Sequence, residues 1–219
     1  MSVGMVLLTA AAILVFFGVA QRVLDKMYLS DRAALLLIAL MFFGTLIPNL
    51  KLGTVELSVG GALIPAGVCV YLLIKTDTAK EFWRAVIGSV LTGAIVFFLG
   101  RVMPNEPEQI VLDPNYVYGL AGGAVAYLLG RSRRAAFICG VLGVVLADVA
   151  VAVVNWSQGL SQTLVLGGAG MMDAVVISGL LAVLLAELVG ELIERAVRPH
   201  RRENRDAVDT PVRKEETKK

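Results

Sequence analysis

Two aspartates sit where aspartates are costly. Asp148 lies within the apolar run Ala135 to Trp156, and Asp173 follows the glycine-rich stretch Leu166-Gly167-Gly168-Ala169-Gly170 near the head of another. An ionised aspartate at mid-bilayer costs roughly 2.5–3.5 kcal/mol on insertion scales, so such a group faces protein or water. Asp148 precedes Trp156 by eight residues, about 12 Å along a helix, and Asp173 follows Leu164 by nine, about 13 Å. If the last span begins near Leu164, with Leu164 to Gly170 inside the membrane as helix or as unwound backbone lining a cavity rather than as an external loop, the two carboxylates share a depth. Two carboxylates a few ångströms apart cannot both ionise comfortably, so one holds a proton and the other acts as a base. Three uses follow from that chemistry. The pair can hydrolyse a peptide, the ionised acid activating water while the protonated one donates to the carbonyl oxygen. It can bind and release a proton or sodium ion in a carrier, or hydrogen-bond neighbouring helices in a scaffold without turnover. Asp148 and Asp173 are thus the candidate catalytic residues. Asn155, Gly167, Gly168, Gly170 and Pro65 are the candidate substrate- or ion-binding residues.

The elements that must position these groups are membrane spans. Of 219 residues, 57% are hydrophobic and only 17% charged, and the mean hydropathy is +0.77, far from a soluble domain. Apolar runs cover residues 3–20, 33–50, 60–74, 85–103, 117–130, 135–156 and 164–197, which predicts an all-α bundle of seven transmembrane helices. Lysines and arginines test the count, because cytoplasmic loops carry the excess of positive charge. With the N-terminus outside and the C-terminus inside, eighteen of the twenty basic residues fall inside, leaving only Lys51 and Arg101 outside. No positive charge precedes the first run, which therefore reads as a retained helix rather than a signal peptide. Residues 198–219 mix acids and bases with almost nothing apolar, and read as a disordered cytoplasmic tail drawn to an anionic leaflet.

Finer features place the acids. Spans three and five are short and glycine-rich, with Pro65 in the third, and are expected to be kinked and to line or gate the acidic centre. In span six, Ala136, Gly140, Gly143, Ala147 and Ala150 form a small-residue stripe for close helix packing. Asp148, Ala152 and Asn155 form a partly polar line toward the outer surface. The short connection between spans six and seven makes them antiparallel neighbours. Val55, Leu57 and Val59 alternate with Glu56 and Ser58, the period of a short surface hairpin. Asp113 before Pro114 is placed to start the fifth helix. Glu187 lies four residues from the like-charged Glu191 and invites a partner among Arg131, Arg133 and Arg134. Cys69 and Cys139 lie inside spans and read as small apolar residues. The lone His200 is in the tail, so no metal site is expected, nor any organic cofactor.

Two resemblances are carried by these residues. Val59-Gly60-Gly61-Ala62-Leu63-Ile64-Pro65, Gly167-Gly168-Ala169-Gly170-Met171-Met172-Asp173 and the run Ile177 to Ala186 resemble an uncharacterised bacterial and archaeal membrane family, the domain of unknown function 1614. That resemblance implies the plasma (inner) membrane of a prokaryote and no particular activity. The acids in spans six and seven are similar to those of intramembrane aspartyl proteases of the signal-peptide-peptidase and presenilin type, which implies Asp148 and Asp173 as a dyad. The departures are Ala147 in place of tyrosine, Met171 and Met172 between Gly170 and Asp173, and no Pro-Ala-Leu after span seven. The partners expected are the lipid bilayer and a membrane peptide or small solute. No nucleic acid is called for, since the positive-inside rule accounts for the basic charge.

Overall fold

The computed structural model describes residues 25, 27, 29–102, 114–130, 132–170 and 173–197. The first run, 3–20, and the tail, 198–219, lie outside these residues, as does Asp113. Among the described residues there are six α-helices: α1 (Asp31–Thr45), α2 (Ile64–Ile74), α3 (Ala79–Val102), α4 (Pro114–Gly130), α5 (Arg133–Ser157) and α6 (Ala174–Val197). Two of them, α3 and α5, are long and apolar enough to cross a membrane. Residues up to Glu187 form one compact unit; a second begins at Leu188.

Side chains at the helix starts explain several boundaries. Ser30 caps α1 by accepting the Ala33 N–H at 3.2 Å, and Thr78 caps α3 by accepting that of Glu81 at 3.2 Å, each satisfying a backbone donor that the first turn leaves orphaned. Ser132 caps α5 in the same way and also donates to Glu81. At the same end of α5, Arg134 bridges Asp77 and Glu81 and donates to the Lys75 carbonyl. Arg133 Nε lies 2.6 Å from Glu187 Oε2, so Glu187 does find a partner in the basic cluster. The loops at this end are tied by charge, and α5 is their common post.

α5 is also the centre of the core. Its Ile138, Val141 and Val144 pack with Val68, Cys69 and Leu72 of α2, Ala85 of α3 and Val175 of α6. The small-residue stripe is real but serves three partners, α3, α4 and α6. A Cβ added at Gly140 would lie 2.6 Å from the Ser178 carbonyl of α6, and one at Gly143 would lie 2.5 Å from the Thr92 methyl of α3. Ser178 Oγ reaches the Gly140 carbonyl at 2.9 Å and Ser89 Oγ reaches Ala85 O at 2.8 Å, so these buried hydroxyls are satisfied by helix carbonyls. The pairings of Gly140 with Ser178 and of Arg133 with Glu187 make α5 and α6 antiparallel.

Three expectations are corrected. Span two, expected over 33–50, ends as a helix at Thr45, because Pro48 disfavours helical backbone at the residue before it. Span five is not kinked: Gly119, Gly122 and Gly123 sit in a regular α4 and admit Leu181, Gly140 and Ala182 at close range. Span seven does not run helically from Leu164. Leu164–Leu166 is a strand, β3, and the helix begins at Ala174, because Gly167 and Gly170 take positive φ of 68° and 63°, which no right-handed helix accommodates. Span three does start irregularly, as a π-helical turn over Val59–Leu63 that leads into α2.

The predicted hairpin forms from β1 (Leu50–Leu52) and β2 (Val55–Leu57). What the alternation did not reveal is that β3 joins it: β2 pairs with β3 in parallel, Val55 opposite Leu164 and Leu57 opposite Leu166. Each of these two parallel strands is followed by a glycine pair and then a helix. The glycines are where these two strand–glycine–helix segments touch. A Cβ at Gly61 would lie 2.3 Å from the Gly167 carbonyl, one at Gly167 2.4 Å from the Ala62 nitrogen, and one at Gly170 2.3 Å from the Thr45 methyl. Replacing Gly61 or Gly167 by alanine is expected to cost roughly 2–3 kcal/mol or prevent folding, since backbone cannot yield to the added methyl. Gly67→Ala, at an open site in α2, should instead gain about 0.5–1 kcal/mol. Thermal unfolding in detergent checks both signs.

Candidate functional site

The glycine junction carries Asp173. Its backbone carbonyl accepts from Val176 and Ile177 N–H groups at 3.1 and 3.0 Å, the first bonds of α6, and its Oδ1 accepts the Val175 N–H at 3.0 Å. Asp173 is therefore the N-cap of α6, with its charge at the positive end of the helix. Its other oxygen, Oδ2, accepts the Ala169 N–H at 3.2 Å from the glycine loop. The loop is closed on itself by Gly170 N–H to Gly167 O at 2.8 Å and Asp173 N–H to Gly170 O at 3.0 Å. The acid is thus not nine residues inside a helix. It stands at a helix start, held by two backbone donors.

Asp148 is on α5, half-buried, one turn beyond the buried Val144. The two carboxylates are close enough for Asp148 to feel the charge of Asp173. Among the described residues none donates a hydrogen bond or an ion pair to Asp148. The pair is unequal in consequence: one acid has its donors supplied by backbone, while the other has the negative neighbour and no donor.

The remaining candidates are dispersed around this pair. Asn155 does not face Asp148 through a hydrogen bond; its amide donates to Gln162 Oε1, and beside it Trp156 Nε1 donates to the Gln162 carbonyl at 2.7 Å, fastening the end of α5 to the chain that leads into β3. Pro65 is fully buried in the first turn of α2, directly after the π-helical turn. Gly167 and Gly170 are buried against Ala62 and Thr45, so their open faces are filled by protein, whereas Gly168 is exposed beside Val165.

Three residues were missed by sequence reasoning. Thr45 packs on both Gly60 and Gly170. Ser58 caps the π-helical turn by accepting the Gly61 N–H at 3.3 Å, and Ser178 bridges α5 and α6. For Asp173 a signal existed: an aspartate just before an apolar run reads as an N-cap. For Thr45 there was none, because it acts through contacts distant in sequence. No group of metal-ligating side chains occurs among the described residues.

The chain belongs to a family of proteins of unknown function, DUF1614, whose model matches residues 21–185. Both glycine motifs and both aspartates lie inside the matched segment. No curated protein and no solved structure matches the chain.

The inequality of the acids has a thermodynamic sign. Asp173→Ala should lose about 1 kcal/mol through the cap, and Asp173→Asn, which keeps one acceptor oxygen, less. Asp148→Asn, which removes a half-buried acid that has no donor among the described residues, should change stability by less than about 1 kcal/mol. Chemical denaturation of the three variants in detergent, compared with the parent, reads these differences.

Proposed function

We propose that the protein is a seven-span membrane protein of the prokaryotic plasma membrane, N-terminus out and C-terminus in, that couples movement of a small solute to a proton or sodium ion at Asp148. The membrane reading is supported by the long apolar α3 and α5, by four shorter apolar helices, and by large side chains left exposed along them, such as Phe98, Leu128 and Leu188. It is supported further by the lysine and arginine alternation. The observation that carries the coupling reading is the unequal acid pair. Backbone donors occupy both carboxylate oxygens of Asp173, and Asp148, whose carboxylate has no donor among the described residues, is the group with something to gain from a cation. Interrupted elements at such a site are what carriers use to bring backbone polar groups to an ion, and the π-helical turn before α2 and the glycine loop before α6 are of that kind.

A second reading, an aspartyl-type hydrolase, is favoured by one observation: an acid oriented by two backbone N–H groups beside an acid without donors is a division of labour suited to a base and a proton donor. The filled faces of Gly167 and Gly170 weigh toward the carrier, because they offer no bare backbone to an extended substrate.

Proteoliposomes loaded with a pH dye and challenged with a panel of small solutes test this. The wild type should show solute-dependent proton or sodium-dependent movement that Asp148→Asn abolishes while still folding. Asp148→Asn moving ions and solute like the wild type would end the reading, and cleavage of a membrane peptide, lost in both Asp148→Asn and Asp173→Asn, would replace it with the hydrolase. For the topology, single cysteines at Lys51 and Lys80 should react with an impermeant maleimide from opposite sides of the membrane.

A further inference from the structure

The three-stranded sheet has an apolar face whose protein cover is incomplete. Strand alternation puts Leu50, Leu52, Val55, Leu57, Leu164 and Leu166 on one face. The part made by β2 and β3 is covered, since Val55, Leu57, Leu164 and Leu166 pack on Ala62 and on Val149, Ala152 and Trp156 of α5. The part made by β1 is not: Leu50 and Leu52 are 46% and 64% exposed. The opposite face is polar where β1 meets β2, with Lys51 Nζ 3.4 Å from Glu56 Oε1.

The bare leucines continue a strip that begins on α1. Leu36, Leu40 and Phe43 are exposed along that helix at spacings of four and three, and Leu46 and Ile47 carry the strip past its end toward β1. Length explains the continuation. The 15 residues of α1 rise about 22 Å, short of a hydrocarbon core of about 30 Å. A three-residue strand adds about 10 Å, which makes up the difference.

From this continuity we infer that β1 is a membrane-contacting strand: Leu50 and Leu52 dip into the acyl boundary of the leaflet at that end of the bundle and complete the lipid-facing wall begun by α1. Lys51 and the Gly53–Thr54 turn stand at the headgroup level, where water satisfies the free edge of β1. Acyl chains are the occupant that an apolar strip running on from a lipid-facing helix selects, and the polar opposite face sets how deep the strand can sit. The inference rests on the membrane reading above, and its test keeps the two separable.

Single cysteines introduced as Leu52→Cys, Leu50→Cys, Lys51→Cys and Phe98→Cys would be labelled with an environment-sensitive nitrobenzoxadiazole dye in the full chain reconstituted in phospholipid vesicles. The native Cys69 and Cys139 are buried, and the labelled wild type gives their background. At 52 the dye should lose fluorescence to a nitroxide-bearing lipid and resist aqueous iodide, as at 98 on α3, whereas at 51 iodide should quench it. The 50 variant gives the same reading if the 52 variant fails to fold. Iodide quenching at 52 with lipid quenching retained at 98 would overturn the inference and leave the membrane reading intact. Shielding of 52 from both quenchers would overturn it in favour of a second copy covering the strand. Iodide quenching at 98 as well would overturn both.

Discussion

Backbone meeting backbone at the glycine junction is the constraint on which the rest of the structure depends. Gly60 and Gly61 in the π-helical turn, Gly167 and Gly170 in the second loop, and Thr45 at the end of α1 approach to distances that no Cβ could share. The parallel pairing of β2 and β3 runs into this contact, its last bond being Ser58 N–H to Leu166 O, and the helices that follow, α2 and α6, start beyond it. Because both loops are held at one place, the N-terminus of α6, and Asp173 with it, comes into the neighbourhood of α5 and Asp148. A side chain at Gly61 or Gly167 would push the two strand–glycine–helix units apart, whereas one at Gly60 or Gly170 would run into Met41 and Thr45 of α1.

The same region handles its polar groups without help from outside the fold. In an apolar surrounding each unpaired N–H or carbonyl is costly, and here the Ser58 hydroxyl, the Asp173 carboxylate and the hydrogen bonds within the glycine loop absorb those left over where helices give way to strands. Asp148 is the exception, an acid within the bundle for which no described residue supplies a donor. Such an exception is what function leaves behind in a structure that otherwise satisfies its polar atoms. At the opposite end of α5 the arrangement is reversed: Arg133 and Arg134 find Glu187, Glu81 and Asp77, so charge there fastens helices together.

Much of this was legible residue by residue. Apolar runs located α1 to α6. Alternation of Val55 and Leu57 marked the hairpin, and the position of Glu187 beside a like charge pointed to an arginine on α5. The helical start of span seven was misplaced because Leu164 to Leu166 is as apolar as the helix that follows, and hydropathy does not separate three strand residues from a helical turn. The glycines of α4 were misread as kinks for a related reason: a glycine that lets Leu181 or Gly140 come close is indistinguishable in sequence from one that bends a helix.

By itself the sequence determined the apolar segments, their charged boundaries and the two places where glycines accumulate, because these follow from local composition and periodicity. Only the tertiary structure decided that β3 adds to the hairpin, that Gly61 and Gly167 meet backbone to backbone, and that Asp173 caps a helix. Those outcomes depend on contacts between segments far apart in the chain. The pairing of short strands and the approach of bare backbones carry no periodic signal of their own; they become favourable once the packed helices have brought both partners together.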